Sequence, residues 1–299
     1  MPELPEVETI RRQLQQAVAG KKIAKVEILR EKSFQGDSQN LIGKTINAVD
    51  RRAKVLVIRL CGSQVSYLLI HLKLTGQLIY QDNKRSRLQG YKVTSLHGER
   101  IVGGHPTLDW VGQLPSKHTR VVIHFTDESR LFFNDQRVFG WLKLIEAEKD
   151  LVKELGRVGG IEPLTKEFSL ENFKKVLSKT GRPIKIVLMD QALIAGVGNI
   201  YASDALWLAK ISPVKPAKEL SESEMEKLKE AIEKVLQLGI KYGGASENTY
   251  RQLSGLGGKY QEHFLVYQKE GEECLHCGTT IKKMRLGGRG TCYCPKCQT

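Results

Sequence analysis

Four cysteines near the C-terminus form two pairs with the spacing of metal ligands. Two residues separate the thiols within each pair, and sixteen residues separate the pair Cys274 and Cys277 from the pair Cys294 and Cys297. Two thiolates on one tight turn can bind the same ion, and two such turns complete a tetrahedral site. The spacing predicts a hairpin held by one structural Zn²⁺, because four protein ligands leave no open position for a catalytic water. The alternative is a pair of disulfides.

The chain is strongly basic. Its 47 Lys and Arg against 33 Asp and Glu give a formal charge of +14. Residues 281–289, between the cysteine pairs, carry four positive charges and no negative one. A basic hairpin on a basic chain indicates a polyanionic partner such as a nucleic-acid backbone. A basic enzyme without such a partner is the alternative.

The first residues argue against export. Glu3, Glu6 and Glu8 stand where a signal peptide needs a basic start and an apolar run. No apolar run approaches the roughly 18–20 residues that span a bilayer. We therefore expect a cytoplasmic protein without membrane contact, in which reduced thiols favour metal binding. Of the other cysteines, Cys61 is expected in the core, and Cys292 is either an idle neighbour of the metal site or an alternative ligand.

Apolar periodicity predicts an α+β fold. A helix with one apolar stripe is expected from Pro5 to a stop at Gly20. Residues 83–118 are interpreted as an insertion without an assigned role. Short β-rich runs predict that the helix packs on a mostly antiparallel β-sandwich. These runs are Ile23–Leu29, Val55–Leu60, Val65–His71, Gly76–Tyr80, Arg120–Phe125, Arg130–Phe133 and Trp141–Ile145.

The second half is predicted to be helical. Ser221-x-x-Glu224 is typical of a capping box that opens a helix. A glycine-rich loop at 243–260 and a strand around 264–268 are expected before the cysteines. Helices are expected at 169–179, 183–189, 199–209 and 221–241. The predicted boundaries are 1–155 for the β-sandwich domain, 156–163 for a linker, 164–270 for a helical domain and 271–299 for the metal hairpin.

The N-terminus can carry amine chemistry. Initiator methionine is commonly removed before proline, which would expose a secondary amine at Pro2, and α-amines titrate at about 7.7–8.0. Attack of that amine on a sugar C1′ gives an iminium that has no N–H proton to lose and so acts as an electron sink. Glu3 could donate a proton to the sugar ring oxygen. The alternative is a helix-entry turn with acidic residues.

Five ordered blocks and the cysteine module resemble the formamidopyrimidine-DNA glycosylase family. The resemblance implies a bifunctional DNA glycosylase and AP lyase that removes oxidised purines from duplex DNA. It also implies a helix-two-turns-helix domain, a C-terminal zinc finger and a monomeric enzyme. The five blocks are Pro-Glu-Leu-Pro-Glu-Val at Pro2–Val7, Arg-Arg-Ala-Lys at Arg51–Lys54, Ile-His-Leu-Lys-Leu-Thr-Gly at Ile70–Gly76, Asp-Gln-Arg-Val-Phe-Gly at Asp135–Gly140 and Gly-Val-Gly-Asn-Ile-Tyr-Ala-Ser at Gly196–Ser203. In the cysteine module, Gly-Arg-Gly-Thr at Gly288–Thr291 carries the resemblance together with the cysteines.

The resemblance implies roles for residues of the first half. Lys54 would contact the phosphate and the ring oxygen of the damaged nucleotide, and His71 would donate to a phosphate. Lys54 could instead be a solvated lysine at a strand start, and His71 a half-buried histidine of a sheet. Leu74, Arg137 and Phe139 would form a wedge that fills the space left by a flipped base. Leu74 replaces the family's usual methionine. Alternatively, Leu74 and Phe139 are core residues and Arg137 is a surface charge.

In the second half, the resemblance assigns four further residues. Asn199 would cap a helix while contacting an anion, and Tyr201 shares the same DNA-binding signature. Lys185 would lie near the bound nucleotide, and Arg289 would bind a phosphate. In the first half, Glu6 lies close enough to Pro2 in sequence to help shape the lesion pocket.

Two other functions stay open at this stage. The endonuclease VIII family acts on oxidised pyrimidines with the same amine chemistry. It usually has glycine where this chain has Leu4, and it tends to lack a loop like 243–260. A non-catalytic zinc-containing DNA-binding protein would explain the fold and the charge. The absence of Pro2, Glu3 or Lys54 would support this non-catalytic alternative, but all three residues are present.

Overall fold

The computed structural model describes residues 2–82, 100–104, 109, 112–245 and 258–299. The described chain divides into two compact units. The first unit contains Pro2 and the described residues of Glu6–Glu154. The second contains Glu3–Pro5 and the described residues from Leu155 onwards. The predicted insertion at 83–118 and the predicted loop at 243–260 lie largely outside the described residues.

Two five-stranded sheets form the first unit. Their strands are β1 Ile23–Ile28, β2 Phe34–Gln35, β3 Thr45–Arg52, β4 Val55–Cys61, β5 Ser66–His71, β6 Gly76–Gln81, β7 Arg100–Gly104, β8 Thr119–Phe125, β9 Arg130–Asp135 and β10 Trp141–Ile145. The strand order is β1-β8-β9-β6-β7 in one sheet and β2-β10-β5-β4-β3 in the other. All neighbouring strands in these sheets are antiparallel except β2 and β10. The fold prediction is confirmed.

Helix α1, Leu4–Val18, precedes the sheets. Its predicted stripe is buried in one core together with residues from both sheets, because positions three and four apart share a helix face. The chain turns at Gly20, whose φ of +79° disfavours other residues. The stripe consists of Val7, Ile10, Leu14 and Val18.

Strand β3 is absent from the prediction. Its burial does not alternate cleanly, because the pairing with β4 is irregular between Ile46 and Ala48. An extra residue in one strand shifts the following side chains and disrupts the two-residue period. The charged end of the strand, Asp50 to Arg52, also masks its β character.

Five further helices follow: α2 Glu148–Gly156, α3 Leu170–Leu177, α4 Ile184–Met189, α5 Asn199–Leu208 and α6 Glu222–Lys241. Helix α2 is also absent from the prediction, and none of its residues is buried. The capping box of α6 is confirmed: Ser221 Oγ accepts from Glu224 N at 3.3 Å, and Ser221 N donates to the Glu224 carboxylate at 2.8 Å. The hairpin of β11, Lys282–Leu286, and β12, Arg289–Tyr293, completes the described elements.

The segment predicted as a linker packs on the second unit. Ile161 N donates to Leu193 O at 3.0 Å, and Ile161 O accepts from Ala195 N at 3.0 Å. Glu162 beside it is 2 % exposed. The domain boundaries drawn from the sequence stay predictions.

The predicted strand at 264–268 is wrong. Its apolar residues face two different cores: Phe264 joins the helical core, and Val266 joins the cysteine cluster. The backbone is satisfied by a side chain instead of a strand, because Val266 N and Tyr267 N donate to Asp204 Oδ1 at 3.0 and 3.1 Å. Alternating apolar residues can therefore mark a folded loop as well as a strand.

No helix within the described ranges has both the length and the apolar character that crossing a bilayer requires.

Candidate functional site

The residues after Pro2 are tied to the start of α5. Leu4 N donates to Gly196 O at 3.0 Å. The Glu3 carboxylate accepts from Ile200 N at 2.9 Å and from Tyr201 N at 3.4 Å. Helix N-termini leave backbone donors without partners inside the helix and favour a negative charge. Glu3, which is 3 % exposed, satisfies that end of the helix and fixes the backbone beside the candidate nucleophile.

Two glycines make room for this attachment. A Cβ on Gly198 would lie 2.4 Å from the Glu3 carboxyl carbon, and a Cβ on Gly196 would lie 2.8 Å from Leu4 Cδ1. Gly196 also has a φ of +94°. The space at both Cβ positions is filled by Glu3 and Leu4.

Asn199 does not cap α5, so this part of the prediction is wrong. The N-cap position is occupied by Gly198, which has no side-chain cap, and the carboxylate of Glu3 takes over that function. Asn199 Nδ2 instead donates to Gly290 O at 3.2 Å. The side chain of Glu3, although distant in sequence, occupies this helix end because a carboxylate accepts stronger hydrogen bonds than an amide does.

Lys54 lies in the turn between β3 and β4. Arg52 pairs with Val55, so the turn consists of Ala53 and Lys54 alone. Ala53 has a φ of +50°, and Lys54 is only 4 % exposed. The alternative of a solvated lysine at a strand start is wrong.

His71 ends strand β5 directly opposite Val55. Burial, with the positive charges of Lys73 and Lys54, lowers the pKa of His71 to about 3. Nδ1 of the ring accepts from Lys73 N at 3.0 Å. The neutral imidazole therefore carries its proton on Nε2 and can offer one N–H to an anion at neutral pH.

The three predicted wedge residues differ from core residues. Leu74 is 39 % exposed and Phe139 is 52 % exposed. The guanidinium of Arg137 lies 4.8 Å from the centre of the Phe139 ring, a cation–π distance. The alternative that Leu74 and Phe139 belong to the core is wrong.

A buried carboxylate organises both wedge loops. Asp135 is fully buried and accepts from the Thr75 hydroxyl, from Gly140 N at 2.6 Å and from Arg137 N at 3.2 Å. Thr75 follows Leu74, and Gly140 follows Phe139. Asp135 belongs to one of the matching blocks, but the sequence alone indicated no role for it.

The four C-terminal cysteines fit a metal ion. Their sulfur atoms all lie within 4.8 Å of one another, and Cys277 and Cys294 are 3.6 Å apart, Cys274 and Cys297 3.9 Å. Tetrahedral zinc with bonds of about 2.3 Å places its sulfurs about 3.8 Å apart. All cysteines are free thiols, so the disulfide alternative is wrong. The four-thiol set binds one structural Zn²⁺.

Cys292 lies outside this cluster. It is 6 % exposed and packs in the small core of the hairpin. Strand pairing places it opposite Lys283. Of the two roles left open, an alternative ligand and an idle neighbour, the structure supports the second.

Lys185 holds the C-terminal hairpin through a hydrogen bond from its side chain. It is fully buried, its Nζ donates to Thr291 Oγ1 at 2.8 Å, and burial lowers its pKa to about 8. Gly287 packs against the neighbouring Ile186, with only 2.2 Å between its Cβ position and Ile186 Cδ1. Arg289, at the start of β12, is exposed.

The remaining predicted site residues differ in how deeply they are buried. Tyr201 is 1 % exposed and stacks on Tyr260 at 4.8 Å, so its side chain is part of the helical core. Gly239 leaves space for its ring. Pro2 and Glu6 are half-buried. Nothing in the sequence distinguishes an exposed Tyr201 from a buried one, because the apolar residues of α5 are not confined to one face of the helix.

Comparison with known proteins covers the chain almost completely. The family models that match are the formamidopyrimidine-DNA glycosylase N-terminal domain over residues 1–142, the formamidopyrimidine-DNA glycosylase H2TH domain over 160–251 and a zinc finger found in FPG and IleRS over 271–299.

Relatives that match over the full length of the chain carry the same family name. The formamidopyrimidine-DNA glycosylase of Lactococcus lactis is 37% identical over 302 residues, covering 100% of this chain and 99% of the relative. That of Listeria innocua is 36% identical and covers 100% of both.

Solved structures show the same architecture. A mutant of the Lactococcus lactis enzyme with Fapy-dG containing DNA has a TM-score of 0.82 and 35% identity, covering 100% of both chains. A complex of the Lactococcus lactis enzyme with abasic-site DNA has the same TM-score and identity, covering 99% of both chains. This chain belongs to the formamidopyrimidine-DNA glycosylase family.

Proposed function

We propose that the enzyme removes oxidised purines, such as 8-oxoguanine and formamidopyrimidines, from duplex DNA and then cleaves the strand as an AP lyase. The observation that carries this proposal is the attachment of Glu3 and Leu4 to α5. It fixes the backbone that follows the only secondary α-amine a chain beginning Met-Pro can expose. The Lactococcus lactis enzyme has been solved with DNA containing Fapy-dG and with an abasic site, which supports the substrate class.

The amine of Pro2 is the proposed nucleophile. It forms a bond to C1′ while the bond between C1′ and the damaged base breaks, and the base leaves with the electron pair and a proton. The bond between C1′ and the ring oxygen then breaks as that oxygen takes up a proton, which leaves an iminium at C1′. Loss of a proton from C2′ towards this electron sink eliminates the 3′ phosphate, and loss of a second sugar proton then eliminates the 5′ phosphate. This chemistry requires the removal of Met1.

Glu3 is the proposed partner of the sugar ring oxygen during ring opening. Lys54 is proposed to contact the phosphate and the ring oxygen of the damaged nucleotide, and His71 and Arg289 to contact phosphates. Charge-assisted hydrogen bonds to phosphate are short and strong. The neutral form of His71 supports its assignment as an N–H donor.

Leu74, Arg137 and Phe139 are proposed to fill the space of the flipped base and to hold its orphaned partner. An exposed apolar side chain, an aromatic ring and a guanidinium are suited to these contacts. Their loops are anchored by the same carboxylate, Asp135, which supports a shared function.

Three members of the predicted DNA-binding set act through the elements that they hold. Lys185 and Asn199 bond to the hairpin that carries Arg289, and Tyr201 N holds Glu3. We propose that Glu6, half-buried in the first turn of α1, borders the lesion pocket.

We further propose that the enzyme works as a monomer in the bacterial cytoplasm, where a reducing environment keeps the four ligand thiols available to zinc. Sedimentation velocity of the pure protein with and without a lesion duplex would give the mass of each species.

Borohydride trapping tests the function. A duplex with one 8-oxoguanine, a duplex with one oxidised pyrimidine and an undamaged duplex are each incubated with protein whose lack of Met1 is verified by mass spectrometry. We expect a covalent adduct on 8-oxoguanine that is lost in Pro2→Gly. A stronger adduct on the pyrimidine would instead support an endonuclease VIII-like specificity. Binding without adduct or strand cleavage would indicate a non-catalytic lesion-binding protein.

A further inference from the structure

A single carboxylate on α1 gathers three arginines. Glu8 accepts from Arg11 at 2.9 and 3.0 Å, from Arg12 at 2.8 Å and from Arg51 at 3.2 Å. The Glu8 and Arg51 side chains are 12 and 11 % exposed. Glu8 is thus the junction between the helix and strand β3, which carries Arg51.

The pKa of Glu8 shows that the carboxylate stays charged. Burial alone would raise this pKa, but hydrogen bonds from Arg11 and Arg12 and the charges of Arg11 and Arg51 lower it to about 2. A shielded ion pair that loses one member leaves the other without compensation. Glu8 and Arg51 therefore depend on each other.

Arg51 extends the network to the turn that carries Lys54. Its Nε donates to Glu8, while its Nη1 donates to Ala53 O at 2.9 Å. Ala53 is fully buried with a φ of +50°, a conformation that persists only when the surroundings hold it. The carbonyl of Ala53 belongs to the peptide bond whose nitrogen is that of Lys54. A bond to this oxygen restrains the backbone from which the Lys54 side chain extends.

We propose that Glu8 and Arg51 are positioning residues for Lys54: the carboxylate orients the guanidinium, and the guanidinium fixes the turn. The inference rests on the proposed function, in which Lys54 contacts the damaged nucleotide. It predicts that Glu8 and Arg51 affect the reaction only as long as Lys54 is present.

The competing explanation is a network that stabilises the fold and nothing else. In that case, removing Arg51 and removing Lys54 would lower activity independently. A double-mutant cycle separates the two explanations, because only residues that act through each other show non-additive effects.

The experiment measures single-turnover strand cleavage of an 8-oxoguanine duplex, normalised to the fraction of protein that borohydride can trap. The variants are Arg51→Ala, Lys54→Ala and the double variant. Glu8→Gln, which keeps the shape but removes the charge, is studied alone and with Lys54→Ala. Arg59→Ala, an exposed arginine on the adjacent strand β4, is the matched control. Thermal unfolding of each protein sets an assay temperature at which all are folded.

We expect Arg51→Ala to slow cleavage about tenfold or more, since misplacing a catalytic contact by about 1 Å can cost on the order of 10²-fold. Glu8→Gln should slow it less. In the Lys54→Ala background neither change should slow cleavage further, and Arg59→Ala should match the wild type.

Losses that multiply in the double variants would overturn the proposal, as would a Lys54→Ala variant with wild-type activity. Wild-type protein that forms no adduct would instead show that the proposed function fails, so the two failures are distinguishable. If Arg51→Ala does not fold, the Glu8→Gln pair of the cycle decides in the same way.

Discussion

The Lys54 turn in the first unit and the Arg289 hairpin in the second are held by different means. The turn is joined to two long paired strands, and Arg51 links it to the Glu8 carboxylate. The hairpin has two five-residue strands, four thiols in metal-binding geometry and a bond from buried Lys185. A large sheet supplies its own core, whereas a small module needs a metal to reach stability. The two regions should therefore respond to different perturbations.

Loss of the metal should have the largest effect, and it should be confined to the hairpin. Structural zinc in finger peptides is worth about 10–16 kcal/mol in apparent binding free energy. We expect Cys294→Ser to abolish zinc binding and to remove amide hydrogen-exchange protection in β11 and β12, while β4 and β5 stay protected.

Cleavage of lesion DNA should fall with the loss of an ordered Arg289. Cys61→Ser, which alters a cysteine outside the cluster, is the control and should retain zinc and activity. Equal protection of the hairpin in Cys294→Ser and wild type would show that the metal does not hold it.

A single methyl group should break the attachment of Glu3. In Gly198→Ala the new Cβ would lie 2.4 Å from the Glu3 carboxyl carbon. Overpacking of this kind typically costs about 1–3 kcal/mol of unfolding free energy. Displacement of the residue beside Pro2 should reduce borohydride trapping by on the order of 10²-fold.

The control for this variant is Gly156→Ala, since a Cβ there meets nothing within 4 Å. Denaturant unfolding and trapping are measured on both proteins. Trapping of Gly198→Ala at the wild-type rate would mean that the Glu3 attachment does not position the amine.

His71 should make the first unit sensitive to acid without any metal. Its folded pKa of about 3 lies below the ordinary histidine pKa of 6.5, so between these values the unfolded chain binds more protons than the folded one. Stability is then complete above about pH 6.5 and falls as the pH drops towards 3, by at most about 1.4 kcal/mol per pH unit.

The variant His71→Asn cannot be protonated and should flatten this dependence between pH 4 and 7. Denaturant unfolding followed by hydrogen exchange in β4 and β5 measures it, because these strands exclude the contribution of the zinc thiolates. His263→Asn, at an exposed histidine, should leave the slope unchanged. An identical slope in His71→Asn would contradict a buried neutral imidazole.

Features set by neighbouring residues were predictable from the sequence. The stripe of α1, the capping box of α6 and the cysteine pairs all lie within one element or one hairpin. Their spacing alone determines which side chains meet, because helical and turn geometry is fixed. The predicted strands of the two sheets were recovered for the same reason.

Features set by distant residues were not predictable. Glu3 is 197 residues from Ile200, which it holds, and Lys185 is 106 residues from Thr291. No local pattern distinguishes a helix capped by Asn199 from one capped by a remote carboxylate. Likewise, a surface lysine and a buried Lys185 look the same in sequence, since burial depends on tertiary packing. The site could be identified by resemblance, but its supporting contacts required coordinates.

The smallest effect should come from a change in Leu74, the exposed apolar residue of the proposed wedge. Leu74→Met restores the residue that the family usually has and keeps the apolar volume, so its consequences should be those of a volume-conserving change. At 39 % exposure the unfolding free energy should shift by less than about 0.5 kcal/mol. The cleavage rate should change less than about fivefold, because a flexible thioether adapts to the base stack where leucine already fits.

The wedge loops should be more sensitive to a change in Asp135, the buried carboxylate that holds them. Asp135→Asn keeps the shape but replaces an acceptor-only carboxylate that receives Gly140 N and Arg137 N, so one of these donors meets an amide N–H. We expect about 1–3 kcal/mol lost from the unfolding free energy and a larger loss of cleavage than in Leu74→Met. Stopped-flow fluorescence of a base analogue opposite the lesion would measure wedge insertion directly. If Leu74→Met slowed insertion more than Asp135→Asn, the chemistry of the exposed wedge residue would matter more than the buried carboxylate that orients it.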